Sequence, residues 1–359
     1  MFVSGDFDRL YSEAASKRLY DIFAGITGLS DVSGDTGNTS LGTGRAISPK
    51  DAATCVLDFN RTAKFTAGLY DAIKKTQKKF PGDTVHILYA GCGPFAPFCF
   101  LISSLFRPED VRFTLIDMHK RSLDCTRKIA QSLNMESFIS QFRQCDAAEY
   151  KHDAADQFHI LFIEAMQKAL SVEPQVAIAS NLYPQMIKGG IMVPESVTVE
   201  AALTDPNKLF NLQQSAKTTT EQKISYEISE GKFRNGLAEK VAVIFELSGR
   251  TACRFQKIFN RAANHAIALS PRCVFIPAQD NSNIYLAMFT RIQISGEISL
   301  DTFESGLTVP FVFTNLGPFK ENTFIYFSYW ADANPGIRYR IAEPGNLLHR
   351  LWALLRYIT

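Results

Sequence analysis

The sequence predicts an α/β chain in three parts. A helical segment covers residues 1–82, an open and mainly parallel sheet covers 83–194, and a β-rich, barrel-like region covers 195–359. Three observations predict this. From Thr84 to Val193, short apolar runs alternate with stretches of helical spacing, the pattern of a parallel sheet covered on both faces. After Pro194, β-type runs follow one another across turn signals. Ahead of the breaker Pro81-Gly82, apolar residues recur at helical spacing.

The elements follow in order. Leu10, Tyr11, Ala14, Ala15, Leu19, Ile22 and Phe23 place an amphipathic helix over 7–24. Residues 28–46 are dominated by Gly, Ser, Thr and Asp, which predicts a mobile loop. Helix resumes over Pro49–Lys79. The alternating part then reads as strand Val85–Tyr89, helix Pro94–Phe106, strand Val111–Ile116, helix His119–Leu133 and strand Phe138–Arg143. Strand Phe158–Ile163, helix Val176–Ile187 and strand Ile191–Val193 complete it. Beyond Pro194, strands are expected at 197–203, 224–228, 241–247, 252–258, 273–276, 284–294 and 324–330. The apolar tail Leu347–Ile358 reads as a docking helix.

Composition narrows the function classes. With 46% hydrophobic and 21% charged residues, the chain reads as an ordinary soluble globular protein. The longest apolar stretch, around Phe95–Phe106, is shorter than the roughly 20 residues that span a bilayer, and the N-terminus lacks an export signature. No membrane association is expected. Seven scattered cysteines form no CxxC pair, which reads as reduced thiols of a cytoplasmic protein. Six histidines show no paired metal-ligand spacing, so no metal is expected. A net charge of +2 argues against nucleic acid as a partner.

The candidate site lies where strands end. Gly91-Cys92-Gly93 follows a strand and opens a helix, a place where backbone must approach a ligand without a Cβ clash. Asp117 ends the next strand, where a carboxylate can accept both hydroxyls of a ribose. Asp146 follows the third strand and could receive an adenine amino group. Glu164 ends the fourth strand, with Glu173 nine residues further on. In an open parallel sheet these positions form one rim, where ligands bind. Two carboxylates so placed suit a cation, and a flat guanidinium most of all. Taken alone, each acid also reads as a strand-end turn residue, and the glutamate pair as two solvated side chains.

The order of these elements resembles the class I S-adenosylmethionine-dependent methyltransferases, and more closely the arginine N-methyltransferase family. The resemblance covers about Val56 to Pro194. Leu57-Asp58-Phe59-Asn60-Arg61-Thr62 looks like the family's helix before the first strand, Gly91-Cys92-Gly93 its glycine loop and Asp117 its ribose acid. Glu164-Ala165-Met166 and Glu173 match its two-glutamate loop, and Lys188–Pro194 its lead into the β-barrel. The resemblance implies a Rossmann-like methyltransferase sheet followed by a β-barrel-like domain. It implies S-adenosylmethionine as cofactor, held by Arg61 at its carboxylate and by Gly91, Cys92, Gly93, Asp117, Met118, Asp146, Ala147 and Glu164. Glu164, Met166 and Glu173 would then meet the substrate, with Glu164 and Glu173 as catalytic residues. A homodimer is implied in the same way.

The sequence departs from the family in several places. Ala46–Val56 has no tyrosine or histidine where aromatic residues usually cover the cofactor. Asp146 is shorter than the usual glutamate, and three extra residues separate it from the substrate loop. Gly317-Pro318-Phe319-Lys320 stands near the place of the barrel's Thr-His-Trp loop, with Pro318 where a histidine is expected. The near-neutral charge gives no field to steer basic protein tails. The expected acceptor is therefore a guanidino nitrogen of free L-arginine or an arginine-like metabolite. An arginine-containing protein, another nitrogen or oxygen acceptor, and a non-catalytic relative are the alternatives.

Overall fold

The computed structural model describes residues 9–29, 37–153, 156–209, 238–260, 267–281 and 283–342. The expected strand 224–228 and tail helix 347–358 lie outside these residues. Helix α1 (Arg9–Thr27) leads to a hairpin of β1 (Thr39–Leu41) and β2 (Gly44–Ala46), then to α2 (Pro49–Thr54) and α3 (Phe59–Lys79). The hairpin corrects the expectation of a mobile loop over its part of 28–46. Leu41 pairs with Gly44 across the two-residue turn Gly42-Thr43. The stretch expected as one helix over 49–79 breaks into two at a 3₁₀ turn, Cys55–Leu57.

The parallel sheet consists of β3 (Val85–Ala90), β4 (Val111–Asp117), β5 (Ile139–Gln144), β6 (Ile160–Ile163) and β7 (Ile191–Val193), in the order β5-β4-β3-β6-β7. Every residue of β3 and β6 is buried, as in a strand covered on both faces. Helices α4 (Pro97–Ser103), α5 (Lys120–Ser132) and α6 (Gln175–Leu182) lie between the strands in sequence. The α4 helix starts three residues later than expected, because Ala96 adopts a left-handed conformation (φ 37°). From β3 the chain moves first towards β4 and later returns to place β6 on the other side. That reversal opens a crevice at the carboxyl ends of β3 and β6.

Beyond β7 the strands are antiparallel. β8 (Ser196–Thr204), β9 (Ala238–Ser248), β11 (Tyr285–Ser295) and β12 (Ile298–Leu300) form one sheet, with β13 (Phe311–Val312) on β11. β10 (Ile267–Ile276), β14 (Thr323–Ala331) and β15 (Gly336–Ile341) form the other. The sheets meet through aromatic side chains: Phe245 of β9 stacks on Tyr329 of β14 with ring centroids 4.5 Å apart. One expected strand is a helix. Residues 252–258 belong to α7 (Gly249–Phe259), which opens with a Ser248–Thr251 capping box. Ala252 and Phe255 are its buried residues, three apart, so the apolar run has helical spacing. No helix of the described residues is long and apolar enough to cross a membrane.

Candidate active site

The crevice at the sheet's carboxyl rim widens into an open cleft. Its floor is the turn after β3. Gly91 (φ 75°) and Gly93 (φ 65°) both have backbone that side chains resist, and a Cβ on Gly91 would come within 3.2 Å of the Ala165 methyl. The Gly93 N–H donates to Asp117 Oδ2 (2.9 Å) and the His119 N–H to Oδ1 (2.8 Å), which fixes the carboxylate at the end of β4. Each oxygen keeps acceptor capacity towards the cleft. Burial, and then the Asp117 charge, push the Cys92 thiol well up, so it is a neutral packing group. Asp146 and Ala147 line the far side with Met118. Asp146 Oδ1 accepts the Ala148 N–H (2.8 Å), and burial raises the proton affinity of its carboxyl.

Arg61 enters the cleft from the first turn of α3. Asp58 caps that turn by accepting the Arg61 N–H (3.2 Å). It also accepts the Ser305 hydroxyl (2.6 Å) and the Gly306 N–H (3.0 Å), so the antiparallel region sets where Arg61 begins. Arg61 Nη2 pairs with Glu164 Oε2. Burial works against the charge of Arg61, but Glu164, Cys55 and Asp58 together outweigh it and hold the guanidinium above its ordinary proton affinity. Glu164 Oε1 is buried and has no hydrogen-bond partner among the described residues. Glu173 lies in the same cleft, 7% exposed. Burial first, and the Glu164 charge second, push its carboxyl up to about 7, against the opposing pull of Arg61. Two acids thus share one arginine in a buried site, and Glu173 holds its proton more readily than an ordinary carboxyl.

The loop between the glutamates is held in an unfavourable backbone shape. Ala169, Leu170 and Val172 have φ values of 56°, 55° and 70°. Such residues cost about 1–3 kcal/mol each unless the surroundings impose them. Here four hydrogen bonds do so. Thr290 Oγ1 accepts the Ala169 N–H (2.9 Å), the Tyr329 hydroxyl donates to Leu170 O (3.0 Å), and Pro335 O accepts the Val172 N–H (3.0 Å). The fourth comes from the hairpin, where the Arg45 N–H donates to Val172 O (2.9 Å). The position of Glu173 is therefore set by both the antiparallel region and the hairpin.

Arg61, Gly91, Cys92, Gly93, Asp117, Met118, Asp146, Ala147, Glu164 and Glu173 all line this one cleft. Met166 does not line it and is 2% exposed in the core. The segment 317–320 also contributes nothing to the cleft wall. Sequence reasoning missed the hairpin residues Leu41 and Arg45, and His119, whose Nε2 lies 3.0 Å from Thr39 Oγ1 and ties the turn after Asp117 to the hairpin. The Gly42-Thr43-Gly44 run was the available signal for the hairpin.

No protein-family model and no curated protein sequence matches the chain. Solved structures do match. The PRMT1 enzyme–prozyme heterotetrameric complex of Trypanosoma brucei with AdoHcy aligns over 82% of this chain and 93% of its own, at 13% identity and a TM-score of 0.51. Protein arginine methyltransferase 10 of Arabidopsis thaliana, in an open conformation, aligns over 77% and 95% at 11% identity and a TM-score of 0.44. The first of these likenesses supports the fold, an open Rossmann-like parallel sheet joined to a barrel-like antiparallel region.

Proposed function

We propose that this chain is an S-adenosylmethionine-dependent N-methyltransferase whose acceptor is a guanidino nitrogen, that of free L-arginine or an arginine-like metabolite. The observation that carries the reading is the pair Glu164 and Glu173, buried together in one cleft with Glu164 Oε1 unpartnered. A buried acceptor atom without a donor is costly, by about 1–3 kcal/mol, and more when charged. A planar cation would satisfy it.

The residues of the rim fit the cofactor. Asp117 offers a fixed carboxylate beside glycine backbone that lets a ligand come close, and Arg61 offers further donors beyond the one given to Glu164. When bound, S-adenosylmethionine supplies an electrophilic methyl group on a cationic sulfur. The chain's own task is then to hold a second cation nearby. Two unit charges about 4 Å apart repel by roughly 4 kcal/mol at an effective dielectric near 20. Glu164 and Glu173 would offset that repulsion and fix the guanidinium plane through charge-assisted hydrogen bonds. Glu173, with a proton affinity near neutrality, can take up the proton that the nitrogen gives up.

Arg45 favours a small acceptor. Its side chain is exposed on the cleft wall, where it would attract the carboxylate of a free amino acid and repel an arginine-rich tail. The test offers labelled S-adenosylmethionine with free L-arginine, an arginine-rich peptide and cell lysate, and follows the label by mass spectrometry. Label on free arginine or a small guanidine is expected. Label confined to protein would overturn the small-molecule assignment, and label on no guanidine would overturn the acceptor class. The proposal includes a homodimer in the cytoplasm, which sedimentation and cell fractionation test.

A further inference from the structure

At the amino end of β3, away from the cleft, His86 meets two side chains from a later loop, His152 and Asp156. His86 is the second residue of β3, while Gly91 of the cleft follows its last, roughly 16 Å along the strand. His152 and Asp156 lie in the connection from β5 to β6. His86 Nδ1 is 3.3 Å from Asp156 Oδ1, and His152 Nε2 is 3.9 Å from Asp156 Oδ2. One donor atom from each of the three residues lies within 4.8 Å of the other two. A tetrahedral zinc ion with bonds of about 2.0–2.1 Å separates its ligand atoms by about 3.3 Å. Closing the widest pair would therefore need a shift of at most about 1.5 Å.

The outer nitrogens of both rings are already held. His86 Nε2 is 2.8 Å from Thr114 Oγ1, and His152 Nδ1 is 3.2 Å from the Tyr150 hydroxyl. Hydrogen bonds on the outer nitrogen orient a ligating imidazole and fix its tautomer. Burial disfavours the charged form of His86, as do His152 and His159, against the pull of Asp156. His159 is engaged separately: its Nδ1 accepts the His86 N–H (3.2 Å), and its Nε2 lies 3.6 Å from Asp83. His152 Nε2 also touches the Asp156 carbonyl, a contact that ligation would replace.

We propose that His86, His152 and Asp156 bind one zinc ion, with water in the fourth position. Two imidazoles and one carboxylate suit zinc rather than magnesium or calcium. The Asp156 side chain, 47% exposed, leaves a path for the ion and its water. The ion would clamp the β5–β6 connection, which carries Asp146, to the amino end of the sheet.

The test uses the full chain, stripped with a chelator and titrated with zinc by calorimetry, alongside His152→Gln and Asp156→Asn. Asp156→Asn alters a partly exposed side chain and keeps the test valid should His152→Gln fail to fold. One zinc per chain is expected in the wild type, with a rise in thermal midpoint. Affinity should fall at least about tenfold in either variant, and by about tenfold in Tyr150→Phe. Equal affinity in wild type and Asp156→Asn would overturn the site, as would a wild-type midpoint that zinc leaves unmoved. Because the chain has seven free thiols, cobalt(II) substitution supplies a second readout. Thiolate charge-transfer bands would place the metal on cysteine and overturn the assignment, and their absence would support it.

Discussion

Glu173 lies in the field of Glu164, and Arg61 is paired to Glu164. Burial and the Glu164 charge together raise the Glu173 carboxyl to about 7. The sign of the consequence is the reverse of the usual carboxylate case. A folded-state value near 7 against an ordinary 4.5 means that the native chain binds the extra proton. The associated stability is fully present below about pH 4.5 and is lost as pH rises through about 7. The difference of about 2.5 units corresponds to roughly 3 kcal/mol. Glu173→Gln should therefore unfold at higher denaturant than wild type at pH 8, with little difference at pH 4.5. It should also lose methyl transfer. Denaturation at the two pH values, with turnover measured on the same samples, checks both effects.

Arg61 and Glu164 form a buried pair, and removing one partner strands the other. Arg61→Ala should cost about 3–5 kcal/mol of stability, because the Glu164 carboxylate is left buried without a cation. Adding Glu164→Gln to that variant should recover part of the loss, since the stranded charge is gone. A double-mutant cycle by chemical denaturation measures the recovery. Both variants should fail to bind S-adenosylhomocysteine in calorimetry, which separates the ligand role of Arg61 from its effect on stability.

How much of this was legible in the sequence depends on the range of the interaction. Gly91, Asp117, Asp146 and Glu164 could be read as one rim because each follows a strand, and a parallel sheet brings strand ends together. The hairpin over the cleft was hidden because the composition of 28–46 suggested mobility, whereas Gly44, at φ +149°, and three paired residues on each strand decide its shape. α7 was misread because an apolar run does not reveal its period until one asks which residues are buried. Thr290 and Tyr329 could not be found at all. They reach the glutamate loop from 121 and 159 residues away. The cluster of His86, His152 and Asp156 stayed hidden for the same reason.

Tyr329 offers a direct test of that long-range support. Its hydroxyl is buried and donates to Leu170 O, one of the three left-handed residues of the loop. Tyr329→Phe keeps the ring stacked on Phe245 but leaves the Leu170 carbonyl unsatisfied, at a cost of about 1–3 kcal/mol. Because the freed loop carries Glu173, turnover should fall by more than the change in folded fraction explains. Thermal unfolding and turnover at a temperature where both proteins are fully folded separate the two effects.

Gly44 and Gly42 differ in a way that isolates the hairpin. Gly44 has φ +149°, and a Cβ there would lie 2.9 Å from Pro174 N and 3.0 Å from Val172 O, both backbone atoms that cannot swing aside. Gly42, two residues earlier, has open space around the corresponding position. Gly44→Ala must therefore push β2 away from the glutamate loop and loosen the Arg45 bond to Val172 O, while Gly42→Ala leaves that contact in place. Overpacking of this kind costs about 1–3 kcal/mol. If half of that cost, about 0.5–1.5 kcal/mol, falls on the active arrangement, turnover drops by roughly two- to twelvefold, since about 1.4 kcal/mol is a factor of ten. The expected result is a several-fold loss of turnover for Gly44→Ala against less than twofold for Gly42→Ala. Hydrogen exchange should show faster labelling at Arg45 in the first variant only. Equal activity in both would mean that the hairpin does not position Glu173.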